Sequence, residues 1–331
     1  MLNNSFLKTS VVICTYNGSQ FIEEQLKSIY NQTQKVDEVL IFDDRSTDST
    51  VEICKNFIKS KQLKNWVVTV NSKQLGVFKN FINGSRTANE DVIFFSDQDD
   101  IWCEDKVEKM VAEFEKHPDM LSLTTTFTRF NKNVVFNKHV KHPKSKRNNI
   151  RKIGLHNFFV FPNYLGMSMA ISKNLLSIID LKKDLKSEVT HDIYLNFFSA
   201  QNQGLYHLDK ILTKRRSYGA SVSNKKFKND IVYFNNNIKL YTVSDKLMML
   251  RLFKKKIKNN LENSGISIQI INKHIIFNNI RFFYLKDGNL LKWLKSIVFL
   301  SYYNSFLSYL SDGFEVVNTW FKMKRTRDAE Q

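Results

Sequence analysis

The sequence predicts an α/β protein with a mostly parallel central sheet and a largely helical C-terminal region. Three observations carry that prediction. Short apolar runs alternate with amphipathic stretches through the first hundred residues, the order β-α-β-α-β-α-β that builds a parallel sheet. Three of those runs end in distinctive polar residues, Thr15–Tyr16–Asn17, Asp43–Asp44 and Asp97–Gln98–Asp99, where ligands of such sheets bind. With 331 residues, 42% of them hydrophobic, the chain can bury a sizeable core.

The elements follow in order. Ser10–Thr15 is a short apolar run typical of a buried parallel strand. Phe21, Ile22, Leu26 and Ile29 recur at helical spacing across 19–30, and Glu23 and Glu24 suit the positive N-terminal end of that helix. A second strand over Asp37–Phe42 runs into the acidic turn 43–48, and a helix over Thr50–Lys59 follows. Trp66–Asn71 is a third strand, Val77–Ala88 a third helix, and Asp91–Phe95 a fourth strand.

Beyond residue 100 the pattern loosens. Lys106–Glu115 reads as a helix, Leu121–Phe136 as β-rich, Lys138–Arg151 as an exposed basic loop, and Phe158–Ile171 as a strand entering a loop. His191–Asp192 introduces a helix over Val189–Ala200. A polar break at Asn224–Asp230 divides the chain into residues 1–224 and a basic region 225–331, in which Ile231–Lys258, Ile268–Leu285 and Leu290–Leu310 read as amphipathic helices.

Charge is unevenly placed. Residues 1–100 carry 11 Lys and Arg against 13 Asp and Glu, whereas residues 201–331 carry 23 against 9. A basic surface attracts polyanions, but charge does not choose among lipid, nucleic acid and phosphorylated carriers. A nucleic-acid partner is not expected, because the most basic part lacks an identifiable binding module. Cys14, Cys54 and Cys103 have neither metal-site spacing nor a disulfide framework and suit a reducing, cytoplasmic compartment. No signal-peptide core or run of 18 apolar residues is present, and the uncharged stretch Ser296–Ser311 reads as a buried or interfacial helix.

The acidic strand ends suggest chemistry. Asp97 and Asp99, two apart at a strand end, can share a divalent cation such as Mg²⁺ or Mn²⁺ together with substrate phosphates. Taken alone, acidic turns of this kind are common. Asp43 or Asp44 could accept hydrogen bonds from a base or ribose, while Ser46–Ser49 could equally form a cap cluster. Asp192 could act as a general base or merely cap its helix. Lys214–Arg216 could clamp a diphosphate or form a solvated basic turn.

Taken together, the ordered motifs 11–17, 43–50, Gly76–Asn80, 97–102 and His191–Asp192 resemble those of the family 2 glycosyltransferases, inverting enzymes with the GT-A fold, across roughly Ser10–Ser223. The D-Q-D-D-x-W form of 97–102 is similar to the branch holding many bacterial rhamnosyl-, glucosyl- and galactosyltransferases of surface-polysaccharide assembly. The resemblance implies a UDP- or dTDP-sugar donor and a glycan acceptor, lipid-linked. It implies that Thr15, Tyr16 and Asn17 line a nucleoside pocket, with Asp43, Asp44, Lys79, Asn80 and Asp97 at the nucleotide. Asp99, with Asp97, would hold Mn²⁺ or Mg²⁺, and Asp192 would be the catalytic base. Trp102, His191, Arg216 and Tyr218 would lie near the acceptor or diphosphate.

Two departures stand out. Tyr218 occupies a position where a His is frequent, and Arg45 one where Gly is frequent. The first keeps a second reading open, a non-catalytic partner of the same fold in a glycan assembly complex. The basic helices after residue 224 could lie on the inner face of the cytoplasmic membrane, or form a helical subdomain or homodimer interface.

Overall fold

The computed structural model describes residues 7–131, 134–136, 149–162, 164–179, 189–217, 238–258 and 264–329. Most of the expected basic loop Lys138–Arg151, the polar break Asn224–Asp230 and Tyr218 lie outside them. The chain divides into two compact units. The first holds residues 1–154 and 162–217, and the second residues 155–161 and 218–331.

In the first unit β1 (Thr9–Thr15), β2 (Glu38–Asp43), β3 (Trp66–Val70) and β4 (Val92–Asp97) pair in parallel, joined by α1 (Ile22–Tyr30), α2 (Thr50–Ser60) and α3 (Val77–Thr87). The short strand β5 (Ile101–Trp102), the helix α4 (Lys106–Lys116), β6 (Ser122–Asn131), β7 (Val134–Phe136) and β8 (Ile150–Lys152) follow. Next come the segment Gly166–Ser168 in a 3₁₀ turn, β9 (Met169–Ser172), α6 (Asn174–Ile178), α7 (His191–Gln201) and β10 (Leu205–Arg216), leaving α5 (Leu155–Val160) to the second unit. The sheet order is β3-β2-β1-β4-β9-β6-β10-β5, with β9 antiparallel to both β4 and β6.

Residue alternation explains the layering. Val11, Ile13, Val39, Ile41 and Phe94 share one core with Leu26 and Ile29 of α1, Phe57 of α2, and Met110 and Phe114 of α4. On the other face Phe81 of α3 meets Phe95 at 5.7 Å, and Phe78 meets Tyr194 of α7 at 5.5 Å. Each such fully buried large apolar side chain contributes about 1.5–3 kcal/mol. The chain winds outward from β1 to β3, then crosses back to place β4 on the other side of β1. That reversal leaves a crevice beyond the carboxyl ends of β1 and β4, where open α/β sheets bind ligands.

Two expectations need correction. Phe158–Ile171 is not a strand entering a loop: the helix α5 runs to Val160, and only Met169–Ser172 is strand. Pro162 disfavours helical backbone at Phe161 and ends the helix there. Lys214–Arg216 is no solvated turn but the end of the twelve-residue strand β10, whose register against β6 shifts twice between Leu208 and Thr213.

The second unit is helical: α5, α8 (Ile238–Lys258), α9 (Ser264–Asp287), α10 (Leu290–Lys295), a 3₁₀ segment over Ser296–Tyr302, and α11 (Phe306–Ala329). Val243, Leu247, Tyr284, Leu285 and Val316 form its core. The stretch Leu290–Leu310 is therefore two helices rather than one. Extended backbone at Tyr303 breaks it, and the Ser305 hydroxyl restarts it by accepting the Ser308 amide at 3.2 Å.

Candidate active site

The loops after β1, β2 and β4 are laced together by their own polar groups. The Thr15 hydroxyl donates to Asp43 Oδ2 at 2.7 Å, and Asp43 also accepts the Ser46 amide at 2.7 Å and the Ser46 hydroxyl at 2.6 Å. Asp44 accepts the amides of Leu75 (2.7 Å) and Gly76 (2.9 Å) and the Asn71 side chain (2.9 Å), which fixes the loop leading into α3. Both aspartates are buried. Asn80 is buried too, its amide donating to the Phe42 carbonyl at 2.9 Å, while Lys79 beside it is half-exposed.

Arg45 holds a left-handed backbone, φ +68°, and donates to the Ser72 carbonyl at 2.8 Å. The turn needs a conformation that glycine takes without strain, which accounts for the glycine expected there. Asn17 is likewise left-handed, φ +49°, and its side-chain oxygen accepts the Thr47 amide at 2.8 Å. Tyr16 is exposed, as are Asn17 and Arg45. Gln98 grips its backbone from both sides, accepting from the Tyr16 amide at 2.8 Å and donating to the Tyr16 carbonyl at 3.1 Å. Gln98 was not anticipated as a site residue. Its place between two strand-end aspartates was the available signal.

The carboxylates gather at the end of β4. Burial, followed by the charges of Asp99 and Asp192, pushes the Asp97 carboxyl up to about 7, against the opposing pull of Arg215 and Lys106. Burial and the neighbouring Asp97 and Asp99 raise Asp100 well above the usual carboxylate range, although the Arg216 amide donates to it at 3.0 Å. Asp97 thus feels the charges of both Asp99 and Asp192 in a poorly solvated space.

Asp192 opens α7 and is buried. Its Oδ2 accepts the Gly166 amide at 2.9 Å, and its Oδ1 accepts the Ile193 amide at 2.9 Å and the Thr190 hydroxyl. Two backbone donors from separate segments hold the carboxylate in one orientation. His191 lies under it, stacked on Phe81 at 4.0 Å, and neither ring nitrogen has a hydrogen-bond partner among the described residues. Burial holds the His191 imidazole below its ordinary value, favouring a neutral ring. A Cβ on Gly166 would collide with that ring, so only glycine lets the 166 amide reach Asp192.

Two basic side chains close the site from the β10 side. Arg216 donates to the Asp99 carbonyl at 3.0 Å, pairs with Glu24, and lies over the rings of Phe21 (4.7 Å) and Phe130 (4.5 Å). Lys106 is fully buried. Its ammonium donates to the Met167 carbonyl at 2.7 Å and the Thr213 hydroxyl at 3.1 Å, and lies 4.0 Å over the Trp102 ring. Desolvation lowers it to about 7, against the opposing charges of Asp100 and Asp97. Lys106 escaped the sequence reading, yet it shares a helical stripe with Met110 and Phe114, a phase in which lysine is out of place. Trp102 is itself 2% exposed and packs on Phe94 at 5.7 Å, so it is part of the core and presents no surface to a ligand.

The acidic group fits a divalent cation by its chemistry. Carboxylates close to one another at a ligand-binding crevice are the oxygen donors that Mg²⁺ and Mn²⁺ prefer. Among the described residues no three His, Cys, Asp or Glu side chains converge as a complete cage, so further ligands would come from phosphate and water.

The chain is similar to known proteins in sequence and in fold. Residues 10–176 match the model of Glycosyl transferase family 2. The dTDP-rhamnosyl transferase RfbG of Shigella flexneri is 44% identical over 103 residues, which cover 30% of this chain and 35% of that protein. The GalNAc(5)-diNAcBac-PP-undecaprenol beta-1,3-glucosyltransferase of Campylobacter jejuni is 34% identical over 93 residues, 28% of this chain and 30% of that protein. The chain thus spans about a third of the length of these curated relatives. In three dimensions it is similar to S. aureus TarS 1-349 in complex with UDP, with a TM-score of 0.60 over 96% of this chain and 92% of that one, at 17% identity. A likeness at that identity shows the shared fold.

Proposed function

The chain belongs to glycosyl transferase family 2, and from that premise we propose that it is an inverting, metal-dependent hexosyltransferase. It moves a sugar from a UDP- or dTDP-sugar to a hydroxyl of a lipid-linked glycan, in bacterial capsule, O-antigen or cell-wall polysaccharide synthesis. The dTDP-rhamnosyl and undecaprenol-linked relatives support the donor and acceptor classes. The observation that carries the reading is the buried Asp97 carboxyl at the end of β4, within reach of the charges of Asp99 and Asp192.

In this reading Thr15, Tyr16 and Asn17 line the nucleoside pocket, and Lys79 approaches the nucleotide. Asp43, Asp44 and Asn80 act there by fixing the loops, since their polar atoms already hold the neighbouring backbone. Asp97 and Asp99 would hold Mn²⁺ or Mg²⁺, which supplies neutralisation of the charge on a departing diphosphate. Asp192 takes the proton from the acceptor hydroxyl while that oxygen attacks the anomeric carbon opposite the leaving group. The bond to the diphosphate breaks on the far face, which inverts the configuration. Arg216, anchored to the Asp99 carbonyl, and the buried His191 position this group rather than react.

Thermal unfolding against a panel of nucleotides and nucleotide sugars, with and without Mn²⁺, tests the reading. A ligand that binds only the folded state raises Tm, by about 2.7 kcal/mol of stability at a hundredfold excess over Kd. A UDP or dTDP compound is expected to stabilise the wild type with Mn²⁺, and Asp99→Ala to lose that response. No response to any nucleotide would shift the reading to a non-catalytic partner of the same fold.

A further inference from the structure

Exposed large apolar side chains are divided very unequally between the two units. Among the described residues, five belong to the first (Tyr16, Val67, Val70, Val77 and Ile178) and eighteen to the second. Thirteen of those eighteen lie between Leu290 and Met323. The segment 296–311 carries no charged residue. Within it Val298 is 77% and Leu307 75% exposed, and just before it Leu291 is 70% exposed. So dense a display along one stretch of chain marks an interaction surface.

A cavity of about 510 Å³ lies beside this stretch, with Ser296 and Phe299 among its lining residues. Ile276, Ile280, Phe283 and Phe299 line it, with Lys292 and Lys295 among its walls. Lysine stems cover apolar surface while their ammonium groups reach for water or an anion. The charge of the unit selects the occupant. Residues 218–331 carry 19 Lys and Arg against 8 Asp and Glu, and two copies of one such face would bring like charges together. Among the described residues no helix is long and apolar enough to cross a membrane, so the surface would rest on a bilayer rather than span it.

We propose that this face docks on an anionic phospholipid bilayer. Leu291, Val298 and Leu307 enter the boundary between headgroups and acyl chains, the cavity takes an acyl chain, and Lys292 and Lys295 pair with lipid phosphate. The 3₁₀ segment and its restart at Ser305 suit this task, because they turn successive apolar side chains outward where one long amphipathic helix would bury a stripe. The inference deepens the reading of a lipid-linked acceptor and rests on it for its biological sense. Its test uses neither donor nor acceptor, so each can fail without the other.

The experiment is sedimentation of the full chain with vesicles of pure phosphatidylcholine and with vesicles containing about one-third phosphatidylglycerol, where each basic residue at the surface adds about fivefold to binding. The wild type is expected to favour the anionic vesicles by at least about tenfold. The double variants Val298→Glu with Leu307→Glu, and Lys292→Glu with Lys295→Glu, are each expected to lose at least about tenfold in binding. Both pairs project from the fold, so Tm is expected to stay unchanged and loss of binding is not loss of structure. Equal or absent binding to both vesicles, or binding that survives both double variants, overturns the proposal. So does a wild-type dimer in light scattering that Val298→Glu dissociates, which would make the face a contact between copies of this chain.

Discussion

Both units bury charge, but they complete it differently. In the second unit Asp312 is fully buried and accepts from Arg281 Nε at 2.6 Å and Nη2 at 3.0 Å, from the Tyr284 hydroxyl at 2.8 Å and from the Tyr303 hydroxyl at 3.3 Å. The group is matched within the fold and ties α9 to α11. In the first unit Asp97 and Asp100 are buried beside other carboxylates, and burial and those like charges raise both, against the pull of Arg215. The difference separates a scaffold from a candidate site. A buried charge paired with its opposite holds helices in place, while buried like charges held close together favour a cation or a proton that arrives later.

The comparison can be broken at several points. The largest expected effect is on turnover: Asp192→Asn should lower kcat by about 10²–10⁴-fold while leaving nucleotide binding intact, measured by sugar transfer and by thermal shift. Equal losses in both would make Asp192 a folding residue. Next, Asp312→Ala leaves Arg281 buried without its partner and should cost about 3–5 kcal/mol, read by calorimetry as a lower transition of the helical unit. An unchanged transition would show that the tyrosines alone suffice.

The smallest effect sharpens the contrast. The Lys106 ammonium is lowered to about 7 from 10.5. Between those values the unfolded chain binds more protons than the native one, so stability rises with pH across that window, by about 1.4 kcal/mol per pH unit at most for one proton. Lys106→Met should flatten that slope in denaturant titrations at pH 7.5 to 9.5, a range that lies inside the window between about 7 and 10.5. A slope that persists would assign the proton uptake elsewhere.

Much of this was legible in the residues. The first four strands and three connecting helices follow from apolar periodicity, and the aspartates at the strand ends follow from where those strands stop. What escaped had cause. Strand β10 carries Asp209, Lys210 and Lys214–Arg216, and its two register shifts scramble the alternation that marks a strand. Lys106 was read only as the first residue of a helix because its acceptors, Met167 and Thr213, are far along the chain. The helix α11 was missed because aromatic residues crowd both its faces, with Phe314, Trp320 and Phe321 exposed, so no single stripe emerges.

Gly166 matters through what it lacks. It offers no side chain and no proton, and serves only by leaving room for the His191 ring while its amide reaches Asp192. In a saturation library selected for sugar transfer, position 166 should tolerate substitution as poorly as position 192. A ranking by fitness alone would then score a residue with no reactive group among the catalytic ones, and reading the list correctly requires knowing which rows are reagents and which are empty space.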